Sequence, residues 1–136
     1  MSPRVESVVL SEDQAGAVRA GRWVRVELGQ YVELPIGRTR SALVGLARGA
    51  VMAWANACLH QPIPLDAVAD PEEIAPGVRA APMDDDRIHL LCHSHGALYR
   101  TRDGYCVSGP CMDQRLVALE VTDAGGTITV VLPIEE

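Results

Sequence analysis

The chain has 136 residues, of which 48% are hydrophobic and 22% charged, and its formal net charge is −6. That length suits one domain, and the apolar share is enough to fill a core. The acidic balance argues against non-specific nucleic-acid binding and against an anionic membrane surface, and no apolar run approaches the ~20 residues of a membrane span.

The first six residues, Met1 to Glu6, lack the charged start and apolar stretch of a signal peptide. A soluble, cytoplasmic protein is the simplest expectation. Phenylalanine is absent, so the core must rest on Val, Leu, Ile and Ala with Trp23 and Trp54. Residues 12–20 predict a short helix or a turn. Residues 22–28 alternate Trp23, Val24 and Val26 with Arg22, Arg25 and Glu27, the pattern of a half-buried strand. Gly29 breaks it and 31–34 resume. Residues 41–47 and 50–55 are two short strands joined at Arg48-Gly49, a two-residue loop of the hairpin type. Cys58-Leu59-His60 follows at once. Residues 64–86 are rich in Asp, Glu and Pro and predict a solvated surface excursion or a partner-docking element. Within them Asp70-Pro71-Glu72-Glu73 looks like a helix start, with Asp as cap, Pro at the first position and acids in the first turn. A strand over 87–92 leads into Cys92-His93-Ser94-His95. Strands over 116–121 and 127–132, with Gly125-Gly126 as their turn, complete an all-β set. Many short strands with frequent Gly and Pro turns point to a sandwich or barrel.

The C-x-H and C-x-x-H pairs carry the chemistry. Two thiolates and two imidazoles in two clusters suit a metal. Zinc is one candidate, as a Cys₂His₂ module, although zinc fingers usually group Cys with Cys and His with His. The alternating order, Gly96 just after the second pair, Gly104, and the Gly109-Pro110 step resemble the Rieske family, whose members hold a [2Fe–2S] cluster with two Cys on one iron and two His on the other. The stretch from Cys92 to Cys111 agrees with the family almost throughout.

The resemblance implies an antiparallel β-sandwich or barrel, one domain over 1–136, with a cluster-binding subdomain at about 56–111 inserted in a basal β domain of about 4–55 and 112–134. It implies that Cys58 and Cys92 bind the buried iron and that His60 and His95 bind an outer, solvent-facing one. Imidazoles donate less charge than thiolates, so the accepted electron localises on the His-bound iron. It further implies a ferredoxin-like carrier between a reductase and a terminal oxygenase or another redox protein, with a monomer as the default. Rival readings are a structural or regulatory subunit of a redox complex and the zinc module.

Departures from the family bear on the potential. Pro62 stands where Gly is expected and removes a backbone N–H. Ile63 and Ser94 occupy the positions of a disulfide found in high-potential members, and Ala97 that of a Ser that bonds a cluster sulfide there. Tyr99 matches a Tyr that bonds a ligand-Cys sulfur. With the disulfide and the Ser both missing, a low-potential centre is expected. Cys106 and Cys111 flank the Gly109-Pro110 loop as two reduced thiols or as a disulfide. Of the remaining His residues, His89 reads as a sheet residue and His93 as an exposed one. No nucleophile–base set or phosphate loop appears, so independent catalysis is not expected.

Overall fold

The computed structural model describes residues 4–35, 37–58, 63–66, 72–93, 96–110 and 114–134, with side chains from Ser7 to Leu132. Eleven strands and one helix are present among them. The strands are β1 (Arg4–Val9), β2 (Val24–Glu33), β3 (Arg38–Ala47), β4 (Ala50–Ala55), β5 (Glu73–Ala75), β6 (Val78–Ala80), β7 (His89–Leu91), β8 (Leu98–Arg100), β9 (Cys106–Ser108), β10 (Ala118–Ala124) and β11 (Thr127–Ile134), and the helix α1 is Glu12–Arg19. Eight strands form one sheet in the order β1-β11-β10-β4-β3-β2-β6-β5, and β7-β8-β9 form a second. Their pairings are antiparallel. The fold is all-β, as the strand pattern predicts.

Local chemistry explains the elements. α1 starts at a capping box: the Ser11 side chain accepts from the Gln14 amide and the Gln14 side chain accepts from the Ser11 amide. Arg48 and Gly49 both have positive φ, and Ala47 pairs with Ala50. This is the geometry that a two-residue hairpin loop needs to match strand twist. Gly125 and Gly126 do the same between β10 and β11.

β3 and β4 form a wall between two cores. Ala42, Val44, Ala53 and Ala55 face one core with Val18 of α1, Val26 of β2 and Ile128, Val130 and Leu132 of β11. Strands far apart in sheet order share that core, so the large sheet curves around it. Leu43, Ala47 and Trp54 face the other way, into a core with Trp23, Leu65, Leu90, Tyr99 and the two cysteines Cys58 and Cys92. The period-two alternation of side chains thus serves both sides of the same strands.

Gly45 lies on this second face under the Trp23 ring. A Cβ there would fall 2.2 Å from Trp23 Cδ2. Gly45→Ala must displace a rigid ring from a filled core, so a destabilisation of about 3 kcal/mol or more is expected. Urea unfolding measures it, and a midpoint equal to wild type would refute the packing argument.

Two expectations need correction. Gly29 does not end a strand: β2 runs through it with a register shift between Glu27 and Val32, and Gly29, at φ 75°, forms a bulge. The helix start at 70–73 is also overturned, as Glu73 opens β5; Asp70 and Pro71 lie outside the described residues. β5 and β6 form a hairpin turning at Gly77, and β6 pairs with β2 through Val24↔Ala80 and Arg25↔Arg79. Val78 is fully buried. Pairing with a sheet edge and burial of Val78 outweigh the local helix signals.

Candidate metal centre

Cys58 and Cys92 each stand at the root of a loop, and the two loops close in the same way. Cys58 follows β4 and its N–H donates to the Ile63 carbonyl at 2.7 Å. Cys92 follows β7 and its N–H donates to the Ala97 carbonyl at 2.8 Å. Each bond spans five residues, so C-x-H and C-x-x-H sit in loops of one size. In the second, the Gly96 amide also donates to the Cys92 carbonyl at 2.7 Å, with Gly96 at φ 72°, a conformation open to glycine at little cost. The loops are tied together by the His93 amide, which donates to the Leu65 carbonyl at 2.9 Å. Both cysteines are buried.

A third segment covers the second loop. Gly109 has φ 105°, and a Cβ on it would lie 2.7 Å from the Ala97 Cα. Only glycine lets the Gly109-Pro110 step approach so closely. Tyr99 of β8 is fully buried, and its hydroxyl lies 3.5 Å from Cys58 Sγ. The contact between Tyr99 and a candidate ligand sulfur is therefore present.

A buried polar network holds the first loop. Asn56 accepts from the Leu65 amide at 2.9 Å through Oδ1 and donates through Nδ2 to Ser41 Oγ at 3.0 Å and Asp66 Oδ1 at 3.2 Å. Thr39 Oγ1 donates to the Asn56 carbonyl at 2.9 Å, and Arg25 Nη1 pairs with Asp66 Oδ1 at 2.9 Å. Sequence reasoning missed these residues. The available signal was a lone Asn within the apolar run Val51 to Leu59, since a buried polar residue is informative where a buried leucine is not.

Of the four candidate ligands, Cys58 and Cys92 share one core, whereas His60 and His95 lie outside the described residues. Pro62, Ser94 and Cys111 lie outside them too. Among the described residues no three His, Cys, Asp or Glu side chains come together as a metal site. Cys106 is buried on β9, with Sγ 3.3 Å from the Ser108 carbonyl oxygen. His89 opens β7 and its Nδ1 lies 3.0 Å from Asp84 Oδ2, while His93 is exposed. Burial acts to raise the Asp84 pKa, but the His89 amide, the His89 ring and the Ile88 amide together hold it below the usual carboxylate value.

The model of the Rieske [2Fe-2S] domain matches residues 16–129. The chain belongs to that family. Its cofactor is a [2Fe–2S] cluster and its chemistry is electron transfer. The Rieske fold also appears among solved structures. The terminal oxygenase of carbazole 1,9a-dioxygenase from Novosphingobium sp. KA1 aligns with a TM-score of 0.60 at 18% identity, over 96% of this chain and 31% of that one. This Rieske chain therefore spans under a third of the length of that oxygenase. The ferredoxin of carbazole 1,9a-dioxygenase from Nocardioides aromaticivorans IC177 aligns with a TM-score of 0.47 at 19% identity, over 79% of this chain and 93% of that one. No curated protein matches the sequence. Among the described residues no helix is long and apolar enough to cross a membrane.

The donor set suits the Rieske cofactor. The Cys58 and Cys92 thiols are buried, soft donors of the type that such a cluster takes. Tyr99→Phe should lower the reduction potential, because a hydroxyl donating to a ligand sulfur favours the more negative, reduced state. One such bond is worth about 1 kcal/mol, or roughly 40 mV for one electron. A redox titration measures it, and a potential equal to wild type would remove Tyr99 from the account.

Proposed function

We propose that Cys58, His60, Cys92 and His95 hold the cluster, and that the chain passes single electrons from a reductase to a terminal oxygenase or another redox protein. The cluster-binding subdomain is residues 56–111 on a basal β domain of 4–55 and 112–134. The observation that carries the reading is the pair of matched loops, each closed from its Cys to the carbonyl five residues on, and linked at His93 and Leu65. When bound, the cluster supplies a one-electron redox couple. The chain's own residues do the rest. Cys58 and Cys92 supply thiolates in a core that excludes water. The Tyr99 hydroxyl lies 3.5 Å from Cys58 Sγ, where it would donate to a thiolate sulfur. Gly109 lets the third segment close against Ala97 and dry the site. His60 and His95 complete the ligand set on the side where electrons enter and leave. Such a carrier performs no catalysis alone. It works in the cytoplasm as a monomer, with a potential low in the family's range of roughly −150 to +300 mV, as the residues at 63, 94 and 97 suggest.

The test is absorption and EPR spectroscopy of anaerobically purified protein before and after dithionite. A brown protein, silent when oxidised, should give a rhombic S = 1/2 signal on reduction. Its average g value should lie below that of all-cysteine [2Fe–2S] clusters. A colourless protein containing zinc, or no metal, would overturn the reading.

A further inference from the structure

The chain is acidic overall, yet one groove beside the first cluster loop is arginine-rich. Arg25, Tyr31, Arg38 and Arg40 line it with a single carboxylate, Glu27, and Pro64 of that loop forms part of its wall. Pro64 follows Ile63, whose carbonyl accepts the Cys58 amide. The groove therefore adjoins the closing end of the first cluster loop.

Arg38 and Arg40 are alternate residues of β3, both exposed, and both guanidinium groups lie over the Tyr31 ring. The distances to its centroid are 4.0 and 5.2 Å. Tyr31 is 51% exposed. Stacking on the ring preorganises the two forks. Arg25 is already occupied by Glu27 and Asp66, but among the described residues neither Arg38 nor Arg40 makes an ion pair. Elsewhere the described arginines are often spent on acids: Arg19 on Asp123, Arg22 on Glu72, Arg100 on Asp103. Arginine and tyrosine are the residue types that anchor protein interfaces, and a guanidinium fork matches a carboxylate in two bonds.

We infer that the groove of Tyr31, Arg38 and Arg40 docks a carboxylate-rich surface of the protein that exchanges electrons with this chain. This rests on the electron-carrier reading. A local positive groove on a chain of net charge −6 orients an acidic protein face while the remainder repels extended polyanions, so a nucleic acid fits poorly.

The experiment is fluorescence anisotropy of a labelled Asp/Glu-rich decapeptide titrated with purified holoprotein at low salt. The probes are wild type, R38E/R40E, and R38Q/R40Q as the milder variant. Wild type should bind, binding should weaken with salt, and both variants should lose affinity, R38E/R40E by at least about tenfold. A DNA duplex of matched charge should bind less well than the peptide. Absent binding, equal binding by wild type and both variants, or tighter binding of the duplex would overturn the inference. The visible spectrum of the same samples reports the electron-carrier reading separately: a colourless protein defeats that reading whatever the peptide does, and coloured protein with no peptide binding defeats only the docking surface.

Discussion

Cys92→Ser is expected to leave the protein colourless, with iron and acid-labile sulfide lost together, and Cys58→Ser should do the same. A serine oxygen is a hard, weakly acidic donor and a poor substitute for a thiolate on a ferric iron. Both cysteines are buried in one core, so loss of packing must be separated from loss of ligation. Cys106 provides the control. It is equally buried in that core but lies on β9, outside the two matched loops. Cys106→Ser should keep the colour while paying a similar packing cost. Metal analysis and visible absorption on the three purified variants check this. If C92S retained wild-type iron and sulfide, or if C106S bleached as fully as the others, the ligand assignment would fail.

Asn56→Ala is expected to destabilise the fold by about 3 kcal/mol and to loosen the first loop. Asn56 is fully buried and makes three side-chain hydrogen bonds, to Leu65, Ser41 and Asp66. Truncation leaves the Leu65 amide and the Ser41 hydroxyl without their partner, while Asp66 Oδ1 keeps Arg25, and each buried orphan costs about 1–3 kcal/mol. The loss is large against a total stability of roughly 5–15 kcal/mol. Asn56→Asp should do no better, because its carboxylate would face that of Asp66. Chemical unfolding gives the stability change, and cluster retention during dialysis gives the effect on the loop. A variant with wild-type stability and retention would show that the network does not hold the loop in place.

The sequence made some of this legible and not the rest, for physical reasons. The two ligand pairs stand out because metal chemistry restricts residue types within three or four positions. The β3–β4 hairpin was readable from Arg48-Gly49, since few dipeptides tolerate two positive φ values. Strands β5, β6, β8 and β9 are three residues long, too short for any periodicity to register. At Gly29 the residue was read correctly as a disturbance, but a break and a bulge leave the same mark in sequence. The helix-like start at 70–73 shows local preference giving way to pairing with β2. The network of Arg25, Asn56 and Asp66 joins three segments distant in sequence, so no local window could contain it. His60 and His95, half of the candidate ligand set, rest on the motif alone.

The first loop has a consequence for how such a chain can change. Cys58 is tied to Ile63, and Leu65 and Asp66, at the start of the acidic stretch, are tied back to Asn56. The chain is gripped again at β6 by β2. None of those bonds involves a residue between Asp66 and β5, so residues gained or lost there would leave every one of them in place. Drift in length and the fixed geometry of a redox centre therefore occupy separate stretches of the polypeptide, and one can proceed without disturbing the other.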